Sequence, residues 1–223
     1  MVGQAMLSIL AERHFPSTSV KALASERSKG RTVAYNGNPL TLEAIDENAF
    51  KGVDVALFAA STDIALMYGP IAAEAGALVI DNSSAWRTKG NVPLVVPEVK
   101  REGSPDDARI TANPHACPVP PTRPRTPVRT PRRLPRLLVP TLRSASGAGR
   151  ALVDELEEQT RAIADGRDPE AVVYPYQLAY NVVPGGWHPA ADGYNEEAVK
   201  IVTATRKTRH RPELTLTATG VRR

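Results

Sequence analysis

Residues 77–87 read Ala77-Leu78-Val79-Ile80-Asp81-Asn82-Ser83-Ser84-Ala85-Trp86-Arg87, an apolar run that ends in a polar loop closed by an arginine. The run follows Gly76 and a helical pattern, which is typical of a buried strand in a parallel sheet. The carboxyl end of such a strand opens into the crevice where α/β sheets bind ligands. Arg87 would offer a planar, permanently charged donor to a phosphate or carboxylate there. The alternative is a surface loop with a solvated arginine.

The residues before this run predict the rest of a βαβ unit. Residues 53–60 form the strongest predicted strand, and Ser61 is a good N-cap for a helix that extends to Ala75. Strand, helix and strand at this spacing predict a crossover connection and a parallel sheet. The other elements predicted in this half are a helix at 4–13, a strand at 19–25 and a hairpin joining 32–35 to 40–42.

The second half of the chain predicts a different architecture. Residues 151–164 have the pattern of an amphipathic helix. Residues 178–183 and 214–218 predict strands on either side of a helix at 196–207. We therefore expect an α/β fold, in which a parallel-sheet domain is followed by an α+β domain.

Length and composition exclude several classes of protein. The 223 residues suffice for one large domain or two small ones. No run approaches the roughly 18 apolar residues of a membrane span, and the first residues lack a signal-peptide pattern, so we expect a cytoplasmic protein with no membrane partner. A single cysteine, Cys117, excludes an internal disulfide. The four histidines show no metal-ligand spacing, so no metal site is predicted.

Residues 113–145 form an anomalous segment. Eight arginines and no acidic residue lie between Asn113 and Arg150, and nine prolines lie between Pro114 and Pro140. These eight arginines exceed the net charge of the whole chain, which is +4, so the rest of the chain has a net negative charge. Prolines every few residues exclude a helix, so we expect extended or disordered backbone. The segment lacks aromatic residues for base stacking, and we do not expect nucleic acid as a partner.

With these elements placed, the sequence resembles the bacterial aspartate-semialdehyde dehydrogenase family. Motifs in the family's order cover nearly the whole chain apart from residues 115–143. They lie at 2–7, 23–30, 50–59, 79–87, 92–99, 146–149, 155–160, 175–177 and 203–207. The resemblance implies a Rossmann-like NADP-binding domain at 1–112, the anomalous segment at 113–145, and a partial α+β substrate and dimerisation domain at 146–223.

The resemblance implies NADPH-dependent reductive dephosphorylation of L-aspartyl 4-phosphate to L-aspartate 4-semialdehyde, a step in lysine, threonine and methionine biosynthesis. In the family a cysteine thiolate carries the acyl group as a thioester, which splits a difficult reaction into two easier steps. A homodimer is implied as well. The enzymatic alternative is an N-acetyl-γ-glutamyl-phosphate reductase, although 82–87 and 155–159 favour the aspartyl enzyme. The other alternative is an inactive remnant whose basic segment binds nucleic acid.

Five residues of the chain fall where the family binds its cofactor. Arg27 and Ser28 would hold the 2′-phosphate of NADP, which needs a cation where an NAD enzyme places a carboxylate. Gly3 would allow close packing behind the pyrophosphate, and Ser146 and Gly147 would approach the nicotinamide. The alternatives are an ordinary turn at 27–28 and a helix-entry loop without a ligand at 146–149.

Four residues fall where the family binds and attacks its substrate. Cys117 is the candidate nucleophile, Arg87 would bind the phosphate or acyl phosphate, and Lys200 would assist it. Glu197, three residues before Lys200 and on the same helix face, would bind the substrate amino group. The alternative for Glu197 and Lys200 is an ordinary solvent-exposed helix pair.

The chain also departs from the family pattern. It opens inside the glycine-rich loop, so we expect the first strand to be missing, and it stops before the catalytic histidine. Residues 115–143 keep the family's length, but their composition is typical of an out-of-frame reading, and Arg143 stands where the family has its substrate-orienting glutamine. The prolines after Cys117 exclude the helix whose N-terminus would stabilise a thiolate. We therefore expect this chain to be impaired or inactive.

Overall fold

The computed structural model describes residues 2–87, 89–96, 108–114, 136–186, 188–190, 193–209 and 212–223. Cys117 and most of the anomalous segment lie outside these residues. The chain divides into two compact units, which contain residues 1–93 with 105–113 and residues 94–104 with 114–223. Within the described ranges, no helix has the length and apolar character needed to cross a membrane.

The first unit contains the predicted βαβ element. Its parallel sheet consists of β4 (Val55–Phe58), β5 (Leu78–Asp81) and β6 (Ile110–Ala112), with β5 in the middle. Helix α2 (Thr62–Glu74) connects β4 to β5, and the Ser61 hydroxyl accepts a hydrogen bond from the Ile64 amide at 3.5 Å. The predicted strands, helix and N-cap are confirmed.

A second sheet in this unit confirms the predicted hairpin. It follows helix α1 (Val2–Glu12) and consists of β1 (Ala22–Ala24), β2 (Thr32–Tyr35) and β3 (Asn38–Ala44) in the order β1-β3-β2. Strands β2 and β3 are antiparallel, and the turn residues Asn36 and Gly37 have φ values of 49° and 76°. Strand β1 is shorter than predicted, because only three of its residues pair with β3.

The core of the first unit lies between α2 and the parallel sheet. Phe58 of β4 stacks on Phe50 with ring centroids 5.9 Å apart, and Val79 of β5 is fully buried. The α2 residues Ala65 and Ala72 are also fully buried, because small side chains allow a helix to approach the sheet closely. This packing fixes the carboxyl ends of the three parallel strands.

The second unit is built on one mixed sheet and two long helices. Its elements are β7 (Arg136–Arg143), α3 (Arg150–Ala164), β8 (Val183–Pro184), α4 (Glu196–Arg209) and β9 (Thr215–Arg222), with the strand order β7-β9-β8. Strand β7 is parallel to β9 over all eight residues. Alternate residues of β9 pack against Ile201 of α4. A parallel-sheet domain followed by a second, α+β domain confirms the predicted fold class.

The strand predicted at 178–183 is wrong, since only Val183 and Pro184 are extended in a sheet. The amides of Leu178 and Ala179 instead donate hydrogen bonds to Gln159 Oε1 at 2.9 and 3.0 Å. Tyr180 has a φ of 58°, which interrupts an extended backbone. Apolar residues that are buried in a loop produced the same sequence pattern as a strand.

Candidate functional site

The loop after β5 is shaped by a buried carboxylate. Asp81, which is fully buried, accepts hydrogen bonds from the Ser83 amide at 3.1 Å and the Ser83 hydroxyl at 2.7 Å. The Ser83 hydroxyl accepts a further bond from the Ala85 amide at 3.0 Å. These bonds fold the 81–85 loop tightly at the carboxyl edge of the sheet.

Arg87 joins the ends of two parallel strands. Its Nε donates to the Asn113 carbonyl oxygen at 2.9 Å, and its Nη2 donates to the Asn82 carbonyl oxygen at 2.5 Å. The side chains of Asn113 and Asn82 bond to each other at 2.5 Å. The alternative of a solvated surface arginine is therefore wrong. The role of Arg87 in phosphate binding stays a prediction.

Arg27 and Ser28 lie in a short 3₁₀ helix, Glu26–Ser28, directly after β1. The neighbouring Lys29 pairs with Glu26 at 3.1 Å. Arg27 is exposed, and among the residues that the structure describes no carboxylate forms an ion pair with it. A free guanidinium at the end of a strand suits the predicted contact with a 2′-phosphate, which stays a prediction.

Gly3 lies in the first turn of α1. A Cβ atom built on it would meet no heavy atom within 4 Å. The close packing that the resemblance implies at Gly3 is therefore not seen among the described residues.

Three charged side chains lie together in the second unit, and we call them the charged cluster: Arg143, which is partly buried, and Glu197 and Arg222, which are buried. Arg222 is 4% exposed and Glu197 is 5% exposed. Arg143 and Arg222 are direct neighbours in the β7–β9 register. Glu197, in the first turn of α4, forms an ion pair with Arg143 and lies 4.0 Å from Arg222. The carboxylate thus compensates the repulsion between two adjacent guanidinium groups.

Arg222 is held in one orientation by backbone and aromatic contacts. Its Nη1 donates to the Ser144 carbonyl oxygen at 2.6 Å, and its guanidinium lies 5.9 Å from the centroid of the Tyr174 ring. The Tyr174 hydroxyl in turn donates to the Pro184 carbonyl oxygen at 2.5 Å. Nε of Arg222 is buried without a hydrogen-bond acceptor within the described part of the chain.

Ser146 and Gly147 lie beside the charged cluster, in the short 3₁₀ helix Ala145–Ala148. A Cβ atom on Gly147 would come within 3.3 Å of Arg222 Nη1 and 3.6 Å of Arg143 Nη2. The glycine therefore packs directly against the two guanidinium groups, which a larger residue would crowd. Whether the loop approaches a nicotinamide stays a prediction.

Lys200 does not join the charged cluster. Its ammonium bonds Glu196 at 3.4 Å, and both side chains are about half exposed. The alternative of a solvent-exposed Glu197–Lys200 pair is therefore wrong, since Lys200 pairs with Glu196 and Glu197 is buried. The predicted role of Lys200 in phosphate binding gains no support from this contact.

Sequence reasoning overlooked Arg222, which is one of the most buried charged residues described. A signal for it existed, because apolar Leu216 and Ala218 predict that every second residue of this strand faces the core. The same alternation places Arg222 on the buried face. A buried guanidinium requires a charged or polar partner, and so it marks a candidate site.

Comparisons with known proteins cover both units. The model for "semialdehyde dehydrogenase, NAD binding domain" matches residues 1–104, and the model for "semialdehyde dehydrogenase, dimerisation domain" matches residues 127–222. The chain is 38% identical to aspartate-semialdehyde dehydrogenase of Synechocystis sp. over 221 residues, which are 99% of this chain and 65% of that protein. It is 36% identical to the Vibrio mimicus protein of the same name and spans 71% of it.

Two solved structures are similar over 99% of this chain at 36% identity. Both are aspartate semialdehyde dehydrogenase II from Vibrio cholerae. One structure, complexed with ASA, has a TM-score of 0.91 and is covered over 66% of its length. The other has a TM-score of 0.92 and is covered over 67% of its length. The chain thus spans about two thirds of the length of the Vibrio cholerae proteins and 65% of the length of the Synechocystis protein.

Proposed function

Because the chain belongs to the aspartate-semialdehyde dehydrogenase family, we propose that it is built for the family reaction, the NADPH-dependent conversion of L-aspartyl 4-phosphate to L-aspartate 4-semialdehyde and phosphate. The charged cluster beside Ser146 and Gly147 carries the proposal. Its two arginines and one glutamate, of which Arg222 and Glu197 are nearly excluded from water, suit a small charged metabolite.

The first unit supplies the nucleotide site in this proposal. Bound NADPH provides the hydride for the reaction. Arg27 and Ser28, at the end of β1, bind its 2′-phosphate. The exposed guanidinium fits this role because a doubly charged phosphate prefers a planar, bidentate donor.

Replacing Arg27 with leucine tests this assignment. We expect the unmodified chain to bind NADPH at least about tenfold more tightly than NADH, since a charge-assisted contact contributes 1.4 kcal/mol or more. In the Arg27→Leu variant the two affinities should agree within about twofold. Titration with each cofactor, followed by its fluorescence, measures the affinities for NADPH and NADH.

The matched control is Arg31→Leu, an exposed arginine of the same segment. It should keep the preference for NADPH. Equal affinities for NADPH and NADH in the unmodified chain would contradict the assignment of Arg27.

The second unit supplies the subunit contact in this proposal. One face of the β7-β9-β8 sheet packs against α4, while the opposite face exposes Leu138 and Leu142 at 61% and 64%. Apolar side chains on an uncovered sheet face indicate an interaction surface. A second copy of this chain is the proposed occupant, since the matching family model is a dimerisation domain.

Replacing Leu142 with glutamate should convert the dimer to a monomer. A carboxylate buried at a subunit contact without a partner costs several kcal/mol. Sedimentation velocity should give twice the chain mass of 24.0 kDa for the unmodified protein and a single chain mass for the variant.

The control for Leu142 is Val172→Glu, which changes an apolar residue that is 80% exposed outside the sheet. This variant should remain a dimer. A dimeric Leu142→Glu variant would contradict the proposed surface.

A further inference from the structure

The tip of the hairpin between β2 and β3 contains the only Asn-Gly sequence of the chain. Asn36 and Gly37 form a two-residue turn, which the paired residues Tyr35 and Asn38 close. Both turn residues are exposed. A Cβ atom on Gly37 would meet no heavy atom within 4 Å. The backbone between Asn36 and Gly37 is therefore accessible to water, with no side chain packed over the glycine.

The Gly37 amide and the Asn36 side chain have the groups that an intramolecular reaction needs. Within the described part of the chain, neither group forms a hydrogen bond. A backbone nitrogen that follows asparagine can attack the carbonyl carbon of that side chain and close a five-membered ring. Glycine favours this attack because it has no Cβ atom to restrict the approach.

The other asparagines, all of which the structure describes, lack one of these conditions. Asn38 and Asn113 precede proline, which has no amide hydrogen to lose. At the remaining five, the amide of the next residue already donates a hydrogen bond of 2.8 to 3.4 Å. These five are Asn48, Asn82, Asn91, Asn181 and Asn195. The reaction is therefore expected at Asn36 and not at the other seven positions.

Ring closure requires Asn36 to leave its turn conformation, since the Gly37 nitrogen must reach the side-chain carbon. Among the described contacts, one side-chain hydrogen bond restrains the turn, from Asn38 Nδ2 to the Asn36 carbonyl oxygen at 3.2 Å. An exposed tip with few contacts opens locally at low free-energy cost while the strands stay paired. The folded hairpin thus slows ring closure at Asn36 without preventing it.

We propose that Asn36 is a site of spontaneous deamidation in the folded chain. The Gly37 nitrogen forms a bond to Asn36 Cγ, the bond from Cγ to the side-chain nitrogen breaks, and ammonia leaves with the Gly37 proton. Water then opens the cyclic imide at either carbonyl, which gives aspartate or isoaspartate. Each product places a carboxylate where a neutral amide was. The inference is independent of the proposed function.

Incubation of the full chain in mildly alkaline heavy-oxygen water, followed by trypsin digestion and mass spectrometry, tests the inference. Trypsin should release residues 32–51 as one peptide, which contains Asn36 together with the internal controls Asn38 and Asn48. We expect Asn36 to convert to aspartate and isoaspartate, each carrying one heavy oxygen atom. The rate should lie within about tenfold of that in the urea-unfolded chain, since opening the tip costs little.

Two outcomes of this experiment would overturn the inference. In one, Asn36 stays intact in the folded chain but converts in the unfolded chain, which would show that the hairpin protects it. In the other, Asn48 converts as fast as Asn36, which would show that the Asn-Gly turn confers no selectivity.

The variant Asn38→Ala tests the opening of the tip, because it removes the hydrogen bond to the Asn36 carbonyl oxygen. Conversion of Asn36 should become about threefold faster or more, the factor expected for the loss of one exposed hydrogen bond. Asn48→Ala makes the same substitution outside the hairpin and should leave the rate unchanged. A rate in Asn38→Ala that equals or falls below that of the unmodified chain would overturn the route through an open tip.

Discussion

Replacing Gly185 with alanine should lower the free energy of unfolding of the second unit by about 3 kcal/mol, since overpacking of this kind forces the backbone to move. The added Cβ would lie 2.8 Å from Glu197 Oε2 and 3.1 Å from the carbonyl carbon and oxygen of Gly220. Gly220 belongs to β9 and cannot yield easily, because the Gly185 amide bonds its carbonyl oxygen at 2.8 Å. The clash would also displace the carboxylate of the charged cluster.

Urea denaturation followed by circular dichroism measures this loss. Gly90→Ala is the control, because a Cβ atom there meets nothing within 4 Å and the residue needs no positive φ. It should change the free energy of unfolding by less than about 0.5 kcal/mol. Similar stabilities for the two variants would show that the contact between Gly185 and β9 is looser than described.

Replacing Gln159 with alanine should also lower the free energy of unfolding by about 3 kcal/mol, since it leaves buried amides without an acceptor. Gln159 is 1% exposed and bonds the Leu178 and Ala179 amides. Its Nε2 donates to the Glu170 carbonyl oxygen at 2.8 Å. The side chain thus ties α3 to both ends of the 170–179 loop.

Two further variants test whether the loss of stability comes from the hydrogen bonds of Gln159 rather than from replacing a glutamine with alanine as such. Gln4→Ala makes the same change on the exposed face of α1 and should be neutral or slightly stabilising. Gln159→Glu keeps the acceptor for Leu178 and Ala179, so amide hydrogen exchange at these two residues should stay slower than in Gln159→Ala. Equal exchange in all variants would contradict the role of Gln159.

The spacing of apolar residues along the sequence was sufficient to predict the elements whose structure depends on neighbouring residues. The βαβ unit from β4 to β5 has an apolar repeat and the N-cap Ser61, and the hairpin has the turn residues Asn36-Gly37. Helix α3 has the apolar repeat of an amphipathic helix. It was not sufficient for residues 178–182, where Gln159 supplies the hydrogen bonds from 19 and 20 positions away. A contact with a distant side chain leaves no local signal.

The candidate site was only partly predictable for a similar reason. The order of motifs pointed to Glu197, but whether its carboxylate faces solvent or the core depends on how α4 packs. The ion pair with Arg143 and the approach of Arg222 require β7 and β9 to be neighbours, and no sequence motif specifies that pairing. Likewise, 155–159 resembles a functional motif, yet Glu155 and Gln159 both bond loop amides.

Hydrogen–deuterium exchange of the full chain with and without NADPH tests most directly whether the first unit is a nucleotide-binding domain. NADPH is an anion, so it has two possible targets: the ends of β1 and β5, or the arginines of the anomalous segment. We predict slower exchange at 26–30 and 82–87 when NADPH is added. Protection confined to residues 123–136, or no protection anywhere, would contradict the account.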